Sequence, residues 1–381
     1  MKGVTSKILI VLGIVLILLA ILWWAIFVNT LIKLPDDIST ISEFEGEFTY
    51  FVDPATNEPL PEGEELKVDI SVERAISSVP EEYDSSRAVI KEEVTTKVGG
   101  LESPPGGLES IFVLDRKNSQ NLEDDRAYDF MEGNEVNRQG SYYPLLPFDT
   151  SSDERYPVWK AELGESAESE FIEEVEKEGI TVYNFRGIIS VDDRKEVSPT
   201  YVEILGLPTE VTFEELKPQL QALGLDVDGL VALATQVMSP EDLQALNAAL
   251  QQSIPVSYYW AFEVESSVEP KTGVPVDIYK DIETVYMELD TSGLMEMAAV
   301  LLKYSDDPVL GPALAPLLQM QTQVEDMALS KVLEYNIAQT EETVKSAIED
   351  AKDGAGQINL VRYIYRGHCS SSEHLSSLSV C

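Results

Sequence analysis

Residues 256–268 read VSYYWAFEVESSV, and residues 275–289 read PVDIYKDIETVYMEL. Both stretches are rich in β-branched and aromatic residues, which are enriched in β-strands. Between them, EPKTG at residues 269–273 supplies the proline and the glycine of a turn. The two stretches therefore predict strands of a sheet.

Further strand-like runs occur along the chain, and segments rich in Gly, Pro, Asn and Asp separate them. In LKVDISV and ITVYNF, apolar and polar residues alternate, which indicates that one face of the sheet is buried and the other is wet. The charged segment 165–178 also fits a short helix, but the turn before ITVYNF favours a hairpin. The sequence thus predicts an α+β protein with a mainly antiparallel sheet, whose further strands are 44–52, 66–74, 87–98, 109–116, 179–191 and 199–205.

A small helical insert is predicted over residues 212–252, between strands of the sheet. Thr212 and Glu215 have the spacing of a capping box. Asp226 and the pair Ser239-Pro240 mark two further helix starts, since Asp and Ser are favoured N-caps and Pro fits the first helical turn. About three short amphipathic helices are expected.

Leucines recur at helical spacing through this insert and form its apolar stripe. The stripe fits packing against the sheet, but it could also present an apolar surface to a lipid or a protein. The leucines are therefore the candidate ligand-binding residues of the sequence: Leu220, Leu223, Leu230, Leu233, Leu243, Leu246 and Leu250.

Two further helical regions lie toward the C-terminus. Residues 293–320 predict two short helices divided around Asp306-Asp307-Pro308. Residues 341–366 carry apolar residues near helical spacing, which predicts a helix leaving the β-rich domain of residues 36–340.

The N-terminus carries an uncharged apolar run over residues 8–28, ILIVLGIVLILLAILWWAIFV. As a helix it would be about 31 Å long, enough to span a bilayer. Lys2 and Lys7 precede the run, and Trp23 and Trp24 lie near its far end, which predicts residues 1–7 in the cytoplasm and the bulk outside. A cleaved signal peptide is the alternative, but its apolar stretch would be shorter and end in small residues. We expect a single-pass protein of the cell membrane.

The composition excludes several functions. The net charge is −41 at pH 7, so the surface would repel the phosphates of nucleic acids. His and Cys occur only from residue 368 onward, which excludes His/Cys zinc sites, Cys nucleophiles and His-containing triads from the body of the chain. We therefore expect no catalytic residue, no metal and no cofactor.

Acidic clusters leave two alternatives open. Groups around Asp124, Asp192 and Asp226 could bind calcium, yet none completes an EF-hand loop, and solvated surface carboxylates are the favoured explanation. Paired carboxylates could also serve a hydrolase of envelope glycans, although no local motif supports one.

Three aromatic segments were weighed as ligand contacts: YYPLLPF (142–148), YPVW (156–159) and SYYWAF (257–262). Aromatic residues at such positions are more often core or sheet packing than the lining of an apolar ligand site. Core packing is the favoured interpretation of these segments.

A series of motifs in order along the chain resembles the PorA-type family of membrane-anchored exported prokaryotic proteins. The resemblance covers residues 1 to about 366, and the motifs are YFVDPAT (50–56), IFVLDRKN (111–118), YYPLLPFDT (142–150), GITVYNF (179–185) and EPKTG (269–273). It implies a large ectodomain between two membrane helices, and the porin label implies a channel-associated component.

The same plan is more distantly similar to class B scavenger receptors, which have two anchors, an irregular β ectodomain and an apical helical cluster. That resemblance implies binding of lipids through an interior tunnel, with the insert at 212–252 as the binding apex. The receptors' disulfides are absent here.

The C-terminal tail departs from both families. Residues 367–381, GHCSSSEHLSSLSVC, are Ser-rich and hold no bilayer span. We expect that a frameshift or a truncated gene model replaced the second anchor, with a genuine variant as the alternative.

These observations predict a membrane-anchored extracytoplasmic binding or envelope protein without enzymatic activity. Its expected partners are the bilayer and a lipid or other apolar ligand, and the sequence does not give its oligomeric state. A carboxylate-based envelope hydrolase and a channel-associated component remain the alternatives.

Overall fold

The fold was analysed in a computed structural model, which describes residues 32–374 apart from 54–59, 61–63, 223, 291 and 317–328. The apolar run 8–28 with Lys2, Lys7, Trp23 and Trp24, and the end of the tail after His374, lie outside the described residues.

Long antiparallel strands make up most of the described chain. The alternation of apolar and polar residues favours such strands, because one face can be buried while the other meets water. The strands are β1 (Ser39–Tyr50), β2 (Leu66–Ser78), β3 (Arg87–Val98), β4 (Leu101–Glu102), β5 (Leu108–Asp115), β6 (Tyr156–Lys160), β7 (Glu165–Lys177), β8 (Ile180–Ile189), β9 (Lys195–Glu196), β10 (Glu210–Thr212), β11 (Ser253–Glu269), β12 (Val274–Leu289) and β13 (Leu329–Gln339).

These strands form one sheet in the order β4-β3-β2-β1-β13-β12-β11-β8-β7-β6. β5 pairs with β3, while β9 and β10 pair with β11. The predicted strands 256–268 and 275–289 are its central hairpin. In the EPKTG turn between them, the carboxylate of Glu269 accepts a hydrogen bond from the backbone N–H of Thr272 at 2.9 Å. The prediction of a mainly antiparallel sheet is confirmed.

The sheet curls until its two ends meet at Tyr142. Beyond β5 the chain returns so that the backbone N–H of Asn121 donates to the carbonyl of Ser141 at 2.9 Å. The N–H of Tyr142 donates to the carbonyl of Pro157 at 2.7 Å, and its own carbonyl accepts from the N–H of Trp159 at 3.0 Å. Tyr142 thus forms a parallel bridge to β6 and closes the sheet around an interior.

The helical insert contains three helices whose starts the sequence predicted. They are α2 (Phe213–Ala222), α3 (Val227–Val237) and α4 (Pro240–Leu250), following a one-and-a-half-turn helix α1 (Pro199–Ile204). The N–H of Gly229 donates to Asp226 at 3.0 Å, and the N–H of Asp242 donates to Ser239 at 3.1 Å, so both predicted N-caps are confirmed. The capping box is also present: the N–H of Thr212 donates to Glu215 at 2.6 Å.

Two local predictions had different outcomes. Segment 165–178 is strand β7, paired with β8 through Lys177 and Ile180, as predicted. The predicted strand 199–205 is wrong, because this segment is helix α1 with Ser198 before it and Pro199 in its first turn. Proline at the first helical position has no N–H to lose and a suitable backbone angle, and this local signal prevails over the strand-like composition.

The remaining helices are α5 (Ser292–Leu302) and α6 (Glu341–His374), with short 3₁₀ turns at Pro80–Glu82 and Gly311–Leu314. α6 does not leave the sheet at once, because Ile348 and Ala351 are buried against Val182 and Val276. It also continues past the predicted boundary at 366 into the Ser-rich tail. None of the helices within the described ranges is both long and apolar enough to cross a membrane.

Candidate functional site

A cavity of about 560 Å³ lies inside the curled sheet. Its wall is built by the inward side chains of ten strands together with the segment that follows α1. Most of the wall is apolar. Its apolar and aromatic residues include Phe44, Phe48, Val72, Val94, Val264, Phe262, Tyr143, Tyr201 and Tyr335.

Strand alternation explains why the wall is apolar. In β1, Phe44 and Phe48 are buried toward the interior, whereas Glu43, Glu45 and Glu47 on the opposite face are exposed. A strand places successive side chains on opposite faces, so the sequence EFEGEF gives one apolar face and one acidic face.

Several inward residues remain partly accessible although they face the interior. Val72 of β2, Val94 of β3 and Val264 of β11 line the cavity and are only half-buried. Protein interiors are ordinarily packed to crystal density. The partial exposure of these valines therefore means that a real space lies beside them.

One side of the cavity carries a lysine and three carboxyl groups. The ammonium of Lys160 donates to Glu283 at 2.8 Å and lies 4.4 Å from the centre of the Phe262 ring. Asp281 stands two positions before Glu283 in β12, so both side chains lie on the inward face. Glu162 borders the same space.

Burial and mutual repulsion shift the pKa values of these groups. Burial and the neighbouring Glu283 carboxylate raise the pKa of Glu162 to about 7. The same two causes raise the pKa of Asp281 well above its usual value. Burial lowers the pKa of Lys160, but attraction to Glu283, Asp281 and Glu162 outweighs this and raises it. Lys160 is therefore an ammonium at neutral pH, and the carboxyl groups share protons among them.

A second polar group lies around Arg74, which also borders the cavity. Tyr143 donates its hydroxyl hydrogen to Glu92 at 2.6 Å, and Arg74 donates to the Tyr143 oxygen at 3.3 Å. Burial raises the pKa of Glu92, and burial together with the Glu92 charge raises that of Tyr143. The tyrosine therefore stays protonated and serves as a hydrogen-bond donor to Glu92.

Arg138 and Asp129 form a buried ion pair beside this group. Arg138 also donates to the carbonyls of Ile111 at 2.8 Å and Tyr128 at 3.0 Å, and it stacks 4.0 Å from the centre of the Phe112 ring. These partners satisfy the guanidinium on several sides, so the pair ties the chain after β5 to the wall of the cavity.

Some buried polar atoms of the wall have no hydrogen-bond partner. They include Oδ1 of Asp281, Oε2 of Glu283, Nε of Arg74 and Nε1 of Trp159. A buried polar group without a partner costs about 1–3 kcal/mol. Unpartnered atoms at the wall of a cavity are places where a bound molecule could form hydrogen bonds.

The arrangement can bind a molecule with an apolar body and a polar end. The apolar wall would cover the body, while the acidic group could accept hydrogen bonds from the end. No set of three carboxyl, His or Cys side chains placed to hold a metal occurs in the part of the chain that the structure describes. Among the clusters weighed for calcium, Asp124 instead binds Arg126 at 2.7 Å, and Asp226 caps α3.

The predicted ligand-binding leucines lie elsewhere, in the core of the helical insert. Leu220, Leu230 and Leu246 are buried there among residues of α5, while Leu233, Leu243 and Leu250 are partly buried against them. None of these six borders the cavity, and Leu223 lies outside the described residues. Their role in ligand binding stays a prediction that this placement does not support.

The aromatic segments favoured as core packing are divided between the core and the cavity wall. Tyr156, Tyr258 and Trp260 are buried in the core. Tyr142, Tyr143, Trp159 and Phe262 border the cavity. The sequence signal for the acidic group was a break in alternation: KDIETV in β12 puts Asp281 and Glu283 on the face where apolar residues are expected. Glu162 gave no such signal, because it follows β6 in an irregular segment.

Comparison with known proteins agrees with the motif series. A family model described as Porin PorA matches residues 5–367, which include every strand of the cavity wall. The predicted resemblance is thereby confirmed. The chain has no match among the curated proteins.

Proposed function

Since the chain belongs to the Porin PorA family, a family of envelope components, we propose that it is a membrane-anchored binding protein that holds an apolar ligand inside its curled sheet. The observation that carries the proposal is the cavity of about 560 Å³ with a mainly apolar wall. Ligand sites in proteins commonly measure about 300–1,000 Å³ and combine apolar walls with a few polar groups. The proposed activity is binding, without catalysis.

The proposed anchor is the apolar run 8–28, with the body outside the cytoplasm. The exposed acidic face of β1, with Glu43, Glu45 and Glu47, favours a body in water, because a carboxylate in hydrocarbon is costly. Protease added to intact cells should digest the body and spare an epitope placed at residue 1. Protection of the body in intact cells would contradict this topology.

Native mass spectrometry of the full-length chain tests the ligand. Protein purified from its membrane in a gently removable detergent should carry a bound amphiphile, which organic extraction then releases. Val264→Trp puts a large side chain into the cavity and should abolish the added mass. The matched control is Ile188→Trp, since Ile188 is 51% exposed on β8 and does not border the cavity.

Two outcomes would reject the proposal. One is a full-length chain that carries no bound molecule at any detergent concentration. The other is an unchanged bound mass in Val264→Trp, which would place the molecule outside the cavity.

One observation favours a second candidate, a carboxylate hydrolase. The pKa of Glu162, raised to about 7 by burial and by Glu283, suits a general acid at neutral pH. This candidate predicts that the chain cleaves chromogenic glycosides and that Glu162→Gln loses the activity. If the chain still carries its bound ligand but cleaves no glycoside, the hydrolase is rejected and the binding function remains.

A further inference from the structure

The wall of the cavity carries more carboxyl groups than cations. Glu92, Asp129, Glu162, Asp281 and Glu283 border it, against the cations Arg74 and Lys160. Asp129 is neutralised from outside the wall by Arg138. Four carboxyl groups then face two cations across the same enclosed space.

Both of these cations are already engaged. Arg74 lies beside Tyr143 and Glu92, and Lys160 donates to Oε1 of Glu283. Glu162 and Asp281 have to share Lys160 with Glu283, since all three carboxyl groups attract its ammonium. One ammonium cannot balance three carboxylates, so burial and mutual repulsion raise the pKa values of Glu162 and Asp281, and bound protons balance the surplus on this side of the cavity.

This surplus coincides with unpartnered oxygen atoms. Oε2 of Glu283 accepts from no N–H or hydroxyl group although the residue is only 2% exposed, and neither does Oδ1 of Asp281. The Asp281 and Glu283 side chains instead form a hydrogen bond with each other, which requires a proton between the two carboxyl groups. A carboxylate oxygen buried without a donor is costly, and a charged donor is its most effective partner.

Aromatic rings surround the same place. Tyr201 and Tyr335 border the cavity, and burial together with the nearby charges of Glu283 and Asp281 raises the pKa of both hydroxyls. Lys160 already places its ammonium over the Phe262 ring. Rings attract cations at their faces, and a wall that holds one alkylammonium in this way is chemically suited to a second.

We propose that the ligand of the cavity is an amphiphile with a protonated amine as its head, bound between Glu162, Asp281 and Glu283. The ammonium replaces the bound protons and donates to these carboxylate oxygens, and the alkyl body lies against the apolar wall. This inference rests on the proposed function, because it assigns the chemistry of the ligand that the cavity holds. It adds that the acidic side of the cavity selects ligands with a positively charged head.

The test compares three probes of equal chain length on the full-length chain in lipid nanodiscs. Isothermal titration calorimetry measures octylamine, 1-octanol and octanoate, with empty nanodiscs subtracted. Octylamine should bind at least about tenfold more tightly than octanol, since one additional charged hydrogen bond supplies such a factor. Octanoate should bind most weakly.

Substitutions locate the preference. Glu283→Gln keeps the shape of the side chain and should bring the Kd of octylamine within about twofold of the Kd of octanol. A twofold difference is smaller than the contribution of one good hydrogen bond. Asp281→Asn is the second variant and should act in the same direction. The matched control is Glu45→Gln, an equal change of charge on the exposed face of β1, which should leave the preference intact.

The outcomes separate this inference from the proposed function. If octanol binds and octylamine binds no more tightly, the cavity site stands and the ammonium head is rejected. The inference also fails if the preference survives in both Glu283→Gln and Asp281→Asn. If no probe binds and Val264→Trp changes nothing, the proposed function itself is rejected.

Discussion

The helical insert and the curled sheet use similar apolar residues with opposite results. In the insert, Leu220, Leu230 and Leu246 are buried in one apolar cluster at 6%, 5% and 1% exposure. In the sheet, Val72 and Val264 point inward and yet stay half-buried beside open space.

The difference arises from what each element can adjust. Short helices joined by turns can shift until their side chains interdigitate. The strands cannot approach one another across the interior, because each is held to two neighbours by its backbone hydrogen bonds and the sheet is closed at Tyr142. A curled sheet of this circumference therefore keeps a space that its side chains do not fill.

The largest expected effect concerns the ion pair that ties the wall together. Asp129→Asn leaves the buried Arg138 without its counter-charge and should lower the free energy of unfolding by about 3–5 kcal/mol. Urea denaturation of the full-length chain measures this. Asp125→Asn, on an exposed neighbour, should change it by less than about 0.5 kcal/mol. Equal effects of both variants would contradict the structural role of the pair.

The next effect compares the two regions directly. Leu246→Ala removes a side chain from a filled core and should cost about 2–4 kcal/mol. Val264→Ala removes methyl groups that already border open space and should cost under about 1 kcal/mol, because little packing is lost. Both are measured by the same urea titration. Similar costs at the two positions would show that the cavity wall is packed as tightly as the insert.

A pH effect of intermediate size follows from Glu162. Its pKa is about 7 in the folded chain against the ordinary value of 4.5, so the folded state binds the proton more tightly. The resulting stability is fully present below pH 4.5 and is lost as the pH rises through 7, by about 1–3 kcal/mol. Melting temperatures from pH 5 to pH 8 should fall more steeply for the native chain than for Glu162→Gln. Glu168→Gln, an exposed change on β7, should keep the native slope, and an unaltered slope in Glu162→Gln would contradict the assignment.

The last comparison concerns two glycines in strands, whose substitution by alanine should change stability in opposite directions. A Cβ on Gly187 would lie 3.4 Å from the Phe262 ring, in ordinary contact, so Gly187→Ala should stabilise the chain by about 0.5 kcal/mol while narrowing the cavity. A Cβ on Gly46 would lie 1.9 Å from the carbonyl oxygen of Asn336, and Gly46→Ala should destabilise by about 1–3 kcal/mol. Thermal unfolding distinguishes the two signs, and a stabilised Gly46→Ala would refute the close approach.

Local chemistry made much of the fold predictable. Strand alternation predicted the antiparallel sheet, and the N-caps at Asp226 and Ser239 fixed two helix starts. The segment 199–205 has the composition of a strand, but Pro199 in its first turn favours the helix that it forms.

The cavity could not be predicted in the same way. It depends on closure at Tyr142 and on bringing Glu162, Asp281 and Glu283 together from positions more than a hundred residues apart. Alternation tells which residues share a face, but not whether that face meets a second layer or an empty interior. The leucine stripe was correctly recognised as apolar, and the sequence offered no means to tell that α5 would cover it.

The junction at Tyr142 is a weakly paired part of the closed sheet described above. It is held to β6 by two backbone hydrogen bonds, whereas β1 and β2 are paired through every residue of β1. Breaking these two hydrogen bonds alone would cost roughly 1–3 kcal/mol, so between about one molecule in six and one in a hundred and sixty is open at any moment. Amide hydrogens of Tyr142 and Trp159 should consequently exchange with deuterium long before those of β1. A ligand would then enter the cavity between Tyr142 and β6, while the other strands of the wall stay paired.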